Sequence, residues 1–154
     1  VLSCIISGGN QRRIFEVIGT SGGDLVFRGI KFYQGGNGED GGALRVSSSA
    51  RVVIELCMFE ACTATTGKGA GIYISPTLSN TVVLFGTTFA GNTGDDIYNE
   101  AGGSVTIETG CPSEFSGTPS VGAALTTAGT ISGQARSIAQ DCALLCSAGS
   151  AGAA

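Results

Sequence analysis

Four carboxylates come closest to usable chemistry in this chain: the pair Asp95-Asp96 and the earlier pair Glu39-Asp40. Two carboxyl groups about 5–10 Å apart, one with a raised pKa, are the equipment of glycoside hydrolysis. Carboxylate oxygens gathered on one edge also suit a calcium ion. Neighbouring residues on a strand face opposite ways, so Asp95 and Asp96 make a poor catalytic pair. The chain has no His. Ser-His-Asp and Cys-His nucleophiles are therefore excluded, as is the usual general base near neutral pH. A polysaccharide lyase would add a basic residue beside calcium, and Arg45 and Lys68 lie nearest in register. Solvated turn carboxylates are the plainer reading. No residue is taken as catalytic and no cofactor is expected; Glu39, Asp40, Asp95 and Asp96 stand only as calcium candidates.

Tyr73 and Tyr98 occupy matching positions one repeat apart. Stacked surface tyrosines could hold a sugar ring or another chain, or could simply brace a sheet face. Six cysteines, Cys4, Cys57, Cys62, Cys111, Cys142 and Cys146, allow up to three disulfides in an oxidising compartment. The near pairs Cys57–Cys62 and Cys142–Cys146 are the first candidates. The alternative is that Cys4, Cys57 and Cys111 are small buried hydrophobes. Zinc is disfavoured, because the two close-spaced pairs lie far apart and no His can serve.

The elements that must position these side chains follow from composition and period. Gly makes up 26 of the 154 residues, more than twice the average of about 7%. Charged residues are 13% and hydrophobic residues 42%. Those values suit many short strands joined by tight turns, in one domain with a core. The net charge is −4, and the eight basic residues are scattered, which disfavours nucleic acid as a partner. No run of 18 apolar residues occurs, so no membrane-spanning helix is expected. Nothing reads as a secretory leader. The first residue is Val1, and we read the chain as a processed product or an excerpt of a longer one.

Internal repeats organise the chain. Gly41-Gly42-Ala43-Leu44-Arg45-Val46, Gly69-Ala70-Gly71-Ile72-Tyr73-Ile74 and Gly94-Asp95-Asp96-Ile97-Tyr98-Asn99 align, with a fourth copy at Arg12-Arg13-Ile14-Phe15-Glu16-Val17. A second strand follows each, at Leu25–Phe32, Val52–Phe59, Val82–Phe89 and Ser104–Cys111. This register puts Val26, Val53, Val83 and Val105 in one column. Phe32, Phe59 and Phe89 form another, with Cys111 in the last slot and Ile6 before them; Ile30, Cys57 and Thr87 form a third, with Cys4 before them. A coil of 25–29 residues cannot bury its own apolar side, whereas stacked coils can. The expectation is an all-β fold, a parallel β-helix of about four coils over residues 1–117. The competing fold is a β-sandwich with Gly-rich hairpins, which predicts strands every 8–12 residues without columns.

The sequence Gly41-Gly42-Ala43-Leu44, the related Gly69-Ala70-Gly71-Ile72 and the element Phe89-Ala90-Gly91-Asn92 resemble the polymorphic outer-membrane (Pmp) repeat. The resemblance covers roughly residues 12–117. It departs from the repeat at Cys62, where Asn is expected after Phe59, and at Gly35 after Phe32. It implies a right-handed β-helix, the hand also favoured by the crossover rule, and a scaffold at a cell exterior. The function expected is a non-catalytic structural or surface module, extracellular or lumenal, associating with other subunits or its own copies through solenoid ends or faces. A carbohydrate-active β-helix enzyme using Asp95 or Asp96, or a glycan-binding module using Tyr73 and Tyr98 on polysaccharide, remain alternatives. Residues 118–154 read as a separate low-complexity segment in which 138–146 could form a short helix, N-capped by Ser137, that covers the open solenoid end. No Asn-x-Ser/Thr acceptor occurs. The Ser/Thr-rich stretch 116–132 is a composition-level candidate for O-glycans.

Overall fold

The computed structural model describes residues 4–19, 23–36, 38–75, 81–100, 104–107, 125–127 and 130–132. It is an all-β solenoid in which every strand pairing is parallel. After a leading strand β1 (Cys4–Ser7) come three complete coils. The first holds β2 (Phe15–Gly19), β3 (Asp24–Arg28) and β4 (Ile30–Tyr33). The second holds β5 (Leu44–Ser48), β6 (Arg51–Glu55) and β7 (Met58–Glu60). The third holds β8 (Ile72–Ile74), β9 (Thr81–Phe85) and β10 (Thr88–Ala90). Then β11 (Ile97–Asn99) and β12 (Ser104–Ile107) add a rung, and β13 (Leu125–Thr127) and β14 (Thr130–Ser132) add another.

Three sheets result, in the orders β1-β4-β7-β10, β13-β11-β8-β5-β2 and β14-β12-β9-β6-β3. They are called here the A, B and C sheets. Two strands of the last rung fall beyond residue 117, so pairing continues into the segment that composition sets apart. The 138–146 helix, Ser137, Cys111, Cys142 and Cys146 lie outside the described residues.

The columns form because each strand alternates its side chains while each coil repeats the last. In the A sheet Ile6, Phe32, Phe59 and Phe89 are in register. The last three rings stack nearly flat, at 4.5 and 5.0 Å between centroids. A fully buried Phe contributes up to about 3 kcal/mol, and an aromatic contact adds about 0.5–1.5 kcal/mol. In the B sheet the inward column is Phe15, Leu44, Ile72 and Ile97. In the C sheet it is Leu25, Val52, Val82 and Val105.

The last assignment corrects the sequence register by one residue. Val105 pairs with Val82, and Val83 faces Thr106. The shift seats Val105 in the core, fully buried, and leaves Ser104 and Thr106 on the outer face. A one-residue slip would reverse that.

Corners are made by left-handed backbone. Between the C and A strands the position is filled by Gly29, Leu56 and Gly86, and after the A strand by Gln34, Ala61 and Gly91, all with φ between 51° and 65°. Glycine takes this conformation freely; Leu56, Gln34 and Ala61 hold it because coils above and below fix the chain. The glycines before the B strands, Gly41, Gly69 and Gly94, are also left-handed, as the repeat pattern predicts.

Candidate functional site

The outer face of the B sheet gathers most of the candidate side chains. Alternation turns Glu16, Arg45, Tyr73 and Tyr98 outward in one register column. Arg45 Nη1 is 3.1 Å from Glu16 Oε1. The Tyr73 and Tyr98 rings stack at 6.2 Å with planes 17° apart. Lys68 Nζ sits 4.4 Å from the Tyr98 ring centroid and 3.0 Å from Glu100 Oε1. Hydrogen bonds to Glu100 and Tyr98 hold the Lys68 ammonium well above its ordinary range. The Tyr73 hydroxyl is pushed up by burial first, then by the charges of Asp40 and Glu100.

The column therefore spends its ring faces internally. Tyr73 is only 6% exposed, so it offers no open platform to a sugar. Tyr98 is half-buried and shares its ring with Lys68.

Beside the column lies a groove of about 340 Å³ lined by Arg13, Glu39, Asp40, Arg45 and Thr66 among others. Its charges act between coils. Arg13 donates to the carbonyl oxygens of Asp40 at 2.7 Å and Gly41 at 3.1 Å. It also pairs with Glu16 and Glu39, each at 3.4 Å. Asp40 Oδ1 accepts the Lys68 backbone N–H at 2.8 Å. Thr66 donates its hydroxyl proton to the Gly38 carbonyl.

The two carboxylate pairs of the sequence reading lie two coils apart, since position 96 pairs with 71 and 71 with 43. Asp96 is 1% exposed, where a solvated turn residue was expected. Its Oδ1 accepts from Asn92 Nδ2 at 2.7 Å. Asp96 shares its register position with Gly71 and Ala43, both small and buried. That alignment was the signal that the position faces inward. Glu39 and Asp40 are each engaged one coil away, with Arg13 and Lys68 respectively. Among the described residues no three of His, Cys, Asp and Glu gather where they could hold a metal ion. The proposed calcium edge is therefore not assembled.

The cysteines of the described residues are free thiols: Cys4 exposed, Cys57 and Cys62 buried. The Cys57–Cys62 pair is not joined. Extended β7 stands between the two, and each thiol is held by its own carbonyls. Cys57 Sγ lies 3.5 Å from Phe27 O and 3.3 Å from Glu55 O. Thr87, one coil later, lies in the same way at 3.0 Å from Ile54 O and 3.3 Å from Phe85 O. The thiol and the hydroxyl thus do one job, satisfying corner carbonyls.

A parallel exchange explains the departure at Cys62. Asn92 donates from Nδ2 to Phe59 O at 3.2 Å and accepts the Cys62 N–H at Oδ1, 2.9 Å away. Cys62, in the same place one coil earlier, sets its Sγ 3.7 Å from Phe32 O. Burial raises the Cys57 thiol pKa and pushes that of Cys62 to about 11. Both are therefore protonated and unreactive near neutral pH.

Two surfaces escape a reading by motif. On the C sheet, Val26, Val53 and Val83 form an outward column in which Val26 is exposed while Val53 and Val83 are buried. The pairs Asp24–Arg51 at 2.7 Å and Arg28–Glu55 at 2.6 Å flank it. The unbroken apolar runs Val52-Val53-Ile54 and Val82-Val83-Leu84 carry that signal. The other surface is the N-terminal end of the stack. Ile5, Phe15, Ile18, Leu25 and Val26 are the exposed large hydrophobics of the described residues, and all belong to β1, β2 or β3.

Comparisons with protein-family models, with curated proteins and with solved structures give no match.

Proposed function

We propose that this chain is a non-catalytic structural module of a cell exterior or lumenal compartment, a stack of coils that works by its surface and its ends. One observation carries the reading: the side chains best suited to chemistry are already bound into the stack. Asp96 is buried against Asn92, Asp40 caps the Lys68 amide, Glu39 braces Arg13, and Tyr73 is sealed under its neighbours. A hydrolase needs two carboxyls facing one substrate bond, and these face none in common. No helix among the described residues is long and apolar enough to cross a membrane. The resemblance to Pmp-type repeats supports the exterior setting.

The test is a panel of neutral and acidic polysaccharides, with and without calcium. It is read for new reducing ends, for unsaturated products and for retention of the protein on immobilised sugars. The expected result is neither turnover nor retention. Turnover lost in Asp96→Asn, with the far-ultraviolet spectrum unchanged, would make the protein a carbohydrate-active enzyme. Retention lost in Tyr98→Ala, without turnover, would make it a glycan-binding module.

A further inference from the structure

We infer that Cys57 and Cys62 form a redox latch: the second coil closes only while both are thiols, and a disulfide between them holds it open. Both thiols are buried, and they bracket β7. An extended strand advances about 3.3 Å per residue. The residues from Met58 to Ala61 that separate the two therefore hold their Cα atoms well beyond the roughly 7 Å that a disulfide can bridge. The thiols also aim at different anchors. Cys57 Sγ meets the carbonyls of Phe27 and Glu55. Cys62 Sγ meets those of Phe32 and Glu60, at 3.7 and 3.6 Å. A Cys57–Cys62 bond and a paired β7 exclude one another.

The bond acts on the strand that ties its neighbours together. β7 pairs with β4 on one side and β10 on the other. Its Phe59 ring lies between Phe32 and Phe89, and Glu60 holds Lys31 at 2.7 Å. Drawing Cys57 and Cys62 together folds β7 on itself and breaks all of these. Once β7 leaves the sheet, the short separation in sequence favours closure, and exposure restores ordinary thiolate chemistry. The oxidant is a small-molecule disulfide. One protein thiolate attacks it and releases the first half, and the other thiolate displaces the second half. Two protein thiols become one protein disulfide, and the small disulfide is reduced to two thiols that take up the two protons. Excess small thiol reverses the exchange and frees β7 to pair. In the coils on either side the same two positions hold Ile30 with Gly35 and Thr87 with Asn92, which form no such bond. The latch belongs to the second coil alone.

Oxidised glutathione, added to the full chain across a urea series, tests this. Trypsin releases residues 52–68 as one peptide, which holds both thiols and no other cysteine. Treated with iodoacetamide in urea, that peptide carries two labels as thiols and none when bonded, and amide hydrogen exchange reads β7. The folded protein should keep both thiols. The bond should appear in step with the opening of the second coil. After urea is removed, β7 should stay unprotected until dithiothreitol is added, and then regain its protection. Cys57→Thr, which copies Thr87, should regain protection with or without dithiothreitol, and this separates the latch from the remaining cysteines. Should Cys57→Thr fail to fold, Cys62→Asn, which copies Asn92, replaces it. A bond formed while β7 is still protected would overturn the proposal. So would a bond that never forms in the opened chain, protection that returns in the bonded chain or fails to return on reduction, or an equal loss of protection in the variant. None of these outcomes touches the reading of the module as non-catalytic, which fails on turnover.

Discussion

The second and third coils and the first coil are built on the same columns, yet they differ in what the columns achieve. Leu44 and Ile72 are fully buried and Phe15, one coil earlier, is 37% exposed. Val52 and Val82 are fully buried and Leu25 is 39% exposed. Residue type does not account for this, since all six are large and apolar. A coil lends each side chain only one of its two covering neighbours, and the first coil lacks the other among the described residues. Stability in such a stack is a sum of coil and interface terms, and the end coil is short of one interface.

The largest test of that contrast is aromatic. Phe59 lies between Phe32 and Phe89, so Phe59→Ala should cost about 3–5 kcal/mol in urea unfolding. Phe15→Ala, at the open end, should cost about 1–2 kcal/mol from its smaller burial. Equal costs would break the comparison.

The next test concerns the corner ladder. Asn92→Leu strands the Cys62 N–H, the Phe59 carbonyl and one partner of Asp96, and should cost about 1–3 kcal/mol. The first coil has Gly35 at this position and depends on no side chain there.

Thiol chemistry sharpens the contrast in another way. Iodoacetamide at neutral pH should modify Cys4 and leave Cys57 and Cys62 untouched until urea is added. The buried thiols also set a pH trend. Each has a folded pKa raised above an ordinary value of 9.0, so the unfolded chain releases its proton first. Their contribution is complete below pH 9 and declines as pH rises towards about 11, the folded value for Cys62. The loss from Cys62 is on the order of 2 kcal/mol, at 1.36 kcal/mol for each pKa unit. Urea midpoints measured between pH 8 and pH 11 should fall, and fall less in Cys62→Ser.

The smallest expected effect is a gain. Ala61 holds the left-handed corner that Gly91 occupies one coil later. Ala61→Gly should stabilise by about 1 kcal/mol, read as a raised urea midpoint. A loss there would mean that the corner is held by more than its backbone.

Much of this architecture was legible in the sequence because a parallel stack repeats its errors and its successes alike. The Phe column and the alignment of Leu44, Ile72 and Ile97 follow from period alone. The register failed at Val105 for a physical reason. Val52-Val53-Ile54 and Val82-Val83-Leu84 are apolar on both faces, so alternation gave no phase, and matching valine to valine chose the outward column. Of the candidate site, the Tyr73–Tyr98 stack was placed correctly and its burial was not, because Lys68 and the neighbouring coil cover it from a distance in sequence. Asp96 was misplaced by its type. A buried Asp is rare enough that composition argues against it, whereas its alignment with Gly71 and Ala43 argued for it.

Amide hydrogen exchange is the decisive measurement for the contrast between coils, since it reads each strand separately. Slow exchange is expected in β6, β7 and β9, which have coils on both sides, and fast exchange at Glu16 and Ile18, whose amides point away from the second coil because those of Phe15 and Gly19 point towards it. Protection in β2 equal to that in β6 would contradict it.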